Sequence, residues 1–161
     1  MTEANAVMTP AAFIHKWRGV TLKERSFYVS HFNDLCDLVG HPTPVASDKI
    51  GASFTFERGA ANRKGGNGWA DVWKKDFFAF EYKGKDRDLE AAFAQLEQYR
   101  EDLENPPLLV AADAARLIIK TNFNKTVTKR HVINLDDLAV PEHFEKLRHL
   151  FHDPEKLKPR S

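Results

Sequence analysis

Apolar and polar positions recur along the chain at spacings that predict its elements one after another. Thr9 before Pro10 predicts a helix opened by an N-cap and a proline in the first turn. Tyr28, Phe32, Leu35 and Val39 fall at helical spacing and predict a helix over 22–39. Thr21 and Glu24 have the spacing of a capping box at its start, and Gly40 with Pro42 ends it. Over 51–57, Ala52, Phe54 and Phe56 alternate with Ser53, Thr55 and Glu57, which predicts a strand. A glycine-rich loop, Gly59 to Gly68, separates it from two aromatic-rich strand patterns, 69–74 and 77–83. The short link of Lys75 and Asp76 predicts that these two pair as an antiparallel hairpin.

Leu89, Ala92, Phe93, Leu96 and Leu103 then mark the apolar face of a helix over 86–103, stopped by Pro106 and Pro107. The wholly apolar run Leu108 to Ala112 reads as a buried strand crossing back to the sheet. Patterns at 116–122 and 131–134 predict further strands, and 141–151 predicts a last helix. The polar tail from Asp153 is expected to fray. This order predicts an α/β fold with a mixed sheet of about five strands flanked by helices.

Composition narrows the class. The 161 residues suit one domain, with a core over about 20–135 and a C-terminal helix and tail over 136–161. Apolar residues at 42% and charged residues at 29% exclude wholesale disorder. The single cysteine, Cys36, excludes a disulfide framework, and its place on the inward side of a helix makes it a small core residue. No apolar run approaches the ~20 residues of a membrane span. The first ten residues lack the basic start and apolar stretch of a secretory signal. A cytoplasmic setting without a membrane partner is therefore expected. The net charge of +1 argues against a chain held on nucleic acid by bulk charge alone. Yet the segment 58–87 has eight basic and four acidic residues, net +4, which leaves the remainder at −3.

Asp71, Glu81 and Lys83 are the residues with the strongest chemical implication. On a strand, residues two apart share a face, so Glu81 and Lys83 point together and Tyr82 points away. A hairpin centred near Asp76 places Asp71 directly across from Glu81, among the apolar Trp69, Trp73 and Ala79. Like charges directly opposed are destabilising, and apolar neighbours strengthen the repulsion. Lys83 supplies one compensating charge. A divalent cation would supply more, and an oxygen-only set of one or two carboxylates is what Mg²⁺ prefers. Such an ion acidifies a water and neutralises charge on a phosphate under attack, and a neighbouring lysine can touch the water or the phosphate oxygens.

The spacing of Asp71 from Glu81-Tyr82-Lys83, nine residues between, resembles the PD-(D/E)XK nuclease superfamily. Gln95-Leu96-Glu97-Gln98-Tyr99 on the next helix matches the signature of the RecB-like branch. The wider stretch from Gly68 to Val110 resembles the amino-terminal endonuclease domain of MmeI-like type II restriction-modification proteins. The proline of the superfamily's name is absent, Gly68-Trp69-Ala70 standing before Asp71. The resemblance implies that Asp71, Glu81 and the Tyr82 backbone carbonyl ligate Mg²⁺ (Mn²⁺ substituting) and that Lys83 assists the attacking water. It implies supporting roles for Gln95, Tyr99 and Glu24, the last an extra metal-linked acid in that branch. Arg58, Arg63, Lys64, Lys74 and Lys85 are candidate phosphate contacts. The implied activity is Mg²⁺-dependent hydrolysis of double-stranded DNA, directed by methyltransferase and target-recognition regions of a parent chain. Cutting both strands implies transient dimerisation.

Other readings compete with this one. The same residues suit a non-catalytic DNA-binding or interaction module of the same fold, or a nuclease acting on single strands or RNA. Asn105-Pro106-Pro107-Leu108 lacks the aromatic fourth residue that stacks a flipped base, so it reads as a helix stop. His143, His149 and His152 lack partner cysteines or a clear third ligand and read as a helix face rather than a zinc site.

Overall fold

The computed structural model describes residues 8–21, 25–60, 68–84 and 88–160, with residues 25 and 26 as backbone only. Helix α1 spans Pro10–Trp17, and its Thr9 N-cap accepts from the Ala12 N–H at 3.1 Å. Helix α2 spans Arg25–Val39. Its stripe of Tyr28, Phe32, Leu35 and Val39 is buried as the spacing predicts. Gly40, at φ +70°, ends the helix in a left-handed turn, and His41 N–H closes it on Cys36 O at 2.9 Å. A one-turn helix α3, Pro44–Ser47, leads to β1, Phe54–Arg58. The predicted strand began at 51; instead Asp48 accepts from Gly51, Ser53 and Phe54 N–H and holds that stretch in a turn.

Strands β2 (Ala70–Lys74) and β3 (Phe78–Tyr82) follow, then α4 (Leu89–Gln98) and β4 (Leu108–Ala112). Strands β5 (Arg116–Thr121) and β6 (Arg130–Asn134) complete the sheet. A 3-10 turn over Leu135–Ala139 leads to α5, Pro141–His152. The sheet has six strands in sequence order, one more than expected, because 54–58, 116–121 and 130–134 all pair. Only β3 and β4 run parallel among the described pairs, joined by the α4 crossover.

Side-chain alternation divides the core into two layers. Phe54, Val72, Phe78, Phe80, Tyr82, Val110, Ile119 and Ile133 face α1, α2 and α5. Trp73, Ala79, Leu109, Ala111 and Ile118 face α4. Phe32 lies at the centre of the first layer, with ring centroids of Phe54, Phe56, Phe78, Phe80 and Phe151 all within about 6 Å. Each such ring contributes roughly 2 kcal/mol by burial.

The expectation of a frayed tail is corrected. Pro154–Leu157 forms a 3-10 turn, and Pro154 and Leu157 are both buried. One apolar side chain every few residues gives no periodic signal, yet Leu157 joins the core of the first layer. No helix among the described residues is long and apolar enough to cross a membrane.

Candidate active site

The site begins with the β2–β3 hairpin. Asp76 adopts φ +67° at the turn, a conformation aspartate tolerates better than most residues. Val72 pairs with Phe80, Trp73 with Ala79 and Lys74 with Phe78, so the pairing is centred on Asp76. One step further along this register, Asp71 is level with Glu81. The ladder is locally replaced there, since the Tyr82 N–H donates to Asp71 Oδ2 at 2.8 Å.

Glu81 is buried, only 8% exposed, and its Oε1 has no hydrogen-bond partner. Burial first, and then the neighbouring Asp71 charge, push its carboxyl up to about 8, with Lys83 pulling against both. The structure therefore brings Asp71, Glu81 and Lys83 within electrostatic reach of one another. Two facing carboxylates, one with an oxygen that lacks a hydrogen-bond partner, are a hard-oxygen set suited to a divalent cation. Among the described residues no group of three or more His, Cys, Asp or Glu is placed to hold a metal. A cation here would thus draw on two acids, a backbone carbonyl and water.

Tyr82 points the other way, as strand alternation requires. Its hydroxyl lies 2.9 Å from Nδ1 of His31, and both side chains are buried. Burial among Phe13, Trp17 and Tyr82 pushes the His31 imidazole down to about 3, so the ring is neutral. His31 was not singled out in the sequence, although its spacing of three from Tyr28 puts it on the inward stripe of α2.

Gln95 and Tyr99 meet the strand just upstream of Asp71. Gln95 Nε2 donates to Trp69 O at 3.3 Å, and the Tyr99 ring stacks on Trp69 with centroids 6.5 Å apart. Gly59 makes this arrangement possible: a Cβ there would lie 2.3 Å from the Trp69 ring.

The candidate phosphate contacts are not gathered at one place. Arg58 lies over the Trp73 ring at 4.1 Å and within 3.8 Å of Glu104. Lys74 is at the opposite end of the hairpin from Glu81, where it donates to His41 Nε2 at 2.9 Å and Phe151 O at 3.3 Å. Glu24, Arg63, Lys64 and Lys85 lie outside the described residues. Sequence patterning also passed over Glu57. It sits in β1 between the Phe56–Val72 and Arg58–Ala70 pairs, at φ +54°, and accepts from the Tyr28 hydroxyl at 3.2 Å.

A family model described as the N-terminal domain of MmeI matches residues 8–160. The chain belongs to the MmeI N-terminal domain family. It is thereby placed in the N-terminal part of MmeI-like restriction-modification proteins. Comparison with curated proteins and with solved structures gave no match.

Proposed function

We propose that this MmeI-type N-terminal domain is a Mg²⁺-dependent endonuclease of the PD-(D/E)XK type that hydrolyses double-stranded DNA. The observation that carries the reading is the buried Glu81 carboxylate, with an unpartnered oxygen, facing Asp71 and accompanied by Lys83. Facing carboxylates in an apolar setting cost stability unless a proton or a cation offsets their charge. Asp71, Glu81 and the Tyr82 carbonyl would hold Mg²⁺, with Mn²⁺ able to substitute. When bound, the ion would lower the pKa of a coordinated water and offset charge on the phosphate.

The chain's own groups do the remainder. Lys83 would hydrogen-bond the attacking water and a non-bridging phosphate oxygen, stabilising the charge that develops there. The water oxygen bonds to phosphorus and gives up one proton to solvent as a phosphorus–oxygen ester bond breaks, and the leaving oxygen takes one proton from solvent in return. Gln95 and Tyr99 keep the strand upstream of Asp71 in place through Trp69. In this reading, methyltransferase and target-recognition regions of a parent chain direct the cut. Two copies meet transiently to cleave both strands.

The test is incubation with supercoiled plasmid and Mg²⁺ or Mn²⁺. Nicking by the wild type, abolished by EDTA, is expected to fall at least about 100-fold in Asp71→Asn, Glu81→Ala and Lys83→Ala. Equal nicking by all four proteins would remove the assignment of these residues. Binding without cutting under every metal condition would favour a non-catalytic module.

A further inference from the structure

A groove of about 660 Å³ lies between the start of β6, the outer face of α5 and the C-terminal segment. Lys129, Lys146, Lys156, Lys158 and Arg160 line it, against the acids Glu142 and Glu145. The groove carries three net positive charges where the whole chain carries one, so the rest of the chain sums to −2. Several basic side chains elsewhere are matched within the fold, as in Lys16–Asp34, Arg18–Asp136, Lys120–Glu97 and Arg130–Glu90. None of the five groove cations makes an ion pair among the described residues. Glu145 is already held by Arg148 through both carboxylate oxygens, at 2.8 and 3.0 Å.

His131 gives a second observation. It lines the groove, and its Nε2 is buried without a hydrogen-bond partner. Burial pushes its imidazole down, and the nearby charges of Lys146 and Lys129 push it further. The groove thus combines an uncompensated positive field with an unused polar atom. An anion would answer that field.

The groove is not an extension of the Asp71–Glu81 site. In the sheet, His131 pairs with Ile119, on the face of α1, α2 and α5, whereas Glu81 alternates onto the α4 face. Three strand spacings, about 14 Å, separate β6 from β3.

We propose that this groove is a second DNA-binding surface, which takes the phosphate backbone of a duplex segment other than the one at the carboxylates. The choice of DNA rests on the proposed function. It is also favoured by the lining itself. Leu157 and Pro159 are its apolar members and it has no Phe, Trp or Tyr, whereas protein partners are anchored mainly by Trp, Tyr and Arg in well-packed pockets. Backbone phosphates need only charge and hydrogen-bond donors.

The experiment is fluorescence anisotropy of a labelled 30-base-pair duplex with the full chain, in EDTA, across a salt series. Wild-type affinity is expected to fall with log salt, and Lys146→Ala/Lys156→Ala should weaken binding about tenfold and flatten the slope by about 2. Lys158→Ala/Arg160→Ala should do the same, which guards against misfolding of one variant. Lys16→Ala/Lys49→Ala removes the same charge elsewhere and should change affinity less than threefold. Equal weakening by all three pairs, or none by the groove pairs, would overturn the proposal. Displacement of the duplex by polyglutamate as readily as by unlabelled DNA would assign the groove to acidic protein and overturn it too. The assay reads no hydrolysis. Binding through the groove by a chain that never cuts would therefore leave this proposal standing while the nuclease reading fell.

Discussion

Glu81 is where burial and charge conflict most directly. Its carboxyl is pushed from the ordinary range up to about 8, while in the unfolded chain it ionises near 4.5. Between those values the folded state holds more protons than the unfolded one, so without metal the stability contributed by this group declines as pH rises. It is fully present below about pH 4.5 and lost as pH passes 8. Glu81→Gln is expected to raise the melting temperature in EDTA at pH 8 by roughly 6 °C, on the order of 2 kcal/mol. Mg²⁺ should then raise the melting temperature of the wild type and leave that of Glu81→Gln unchanged. A variant less stable than wild type in EDTA would refute this account of the carboxylate. The pairing of Asp71 with Glu81 was legible in the sequence because a two-residue link fixes the register of a hairpin. His31 lies on the inward stripe of α2, but its partner 51 residues away was not legible, and the positive φ of Glu57 inside a strand leaves no periodic trace.

Among elements, α4 illustrates how a crossover helix is secured. Leu89, Ala92, Phe93 and Leu96 bury one face, as their spacing predicts. Glu97 pairs with Lys120 on β5, and Glu90 pairs with Arg130 on β6, while Arg130 also lies 4.9 Å from the Phe93 ring. The helix thereby carries Gln95 and Tyr99 to Trp69 at the entrance to β2. Gly59, in the loop before β2, lies under the same ring at φ +83°. Gly59→Val would combine a strained backbone with a side chain placed inside the indole. It is expected to destabilise the fold by at least about 2 kcal/mol and to alter tryptophan fluorescence as Trp69 leaves Tyr99. Unchanged stability and emission would show that Trp69 has room to move. The glycine-rich loop was visible as a turn signal, but the ring it accommodates comes from a residue ten positions later.

At the scale of the whole molecule, the C-terminal segment closes the first core layer. His152 Nε2 meets Val39 O at 2.8 Å, and Leu157 packs into the layer built by α2 and the sheet. Leu157→Ala is expected to cost about 2–3 kcal/mol, read as a lower denaturant midpoint with an unchanged slope. A loss below about 0.5 kcal/mol would mean that the segment only rests on the surface. The α/β class and the helix–strand order could be read from periodicity, since each element has its own repeat. The closing segment could not, because one leucine among charged residues has none.

The three residues Glu81, Tyr82 and Lys83 look in alternate directions, and this couples the two layers of the molecule. The Tyr82 main chain is latched to Asp71 while its phenol is anchored to His31, so a tilt of the amino-terminal helices would lever the acidic pair out of alignment. If the proposed hydrolysis is right, anything that grips those helices would act on it from behind the sheet.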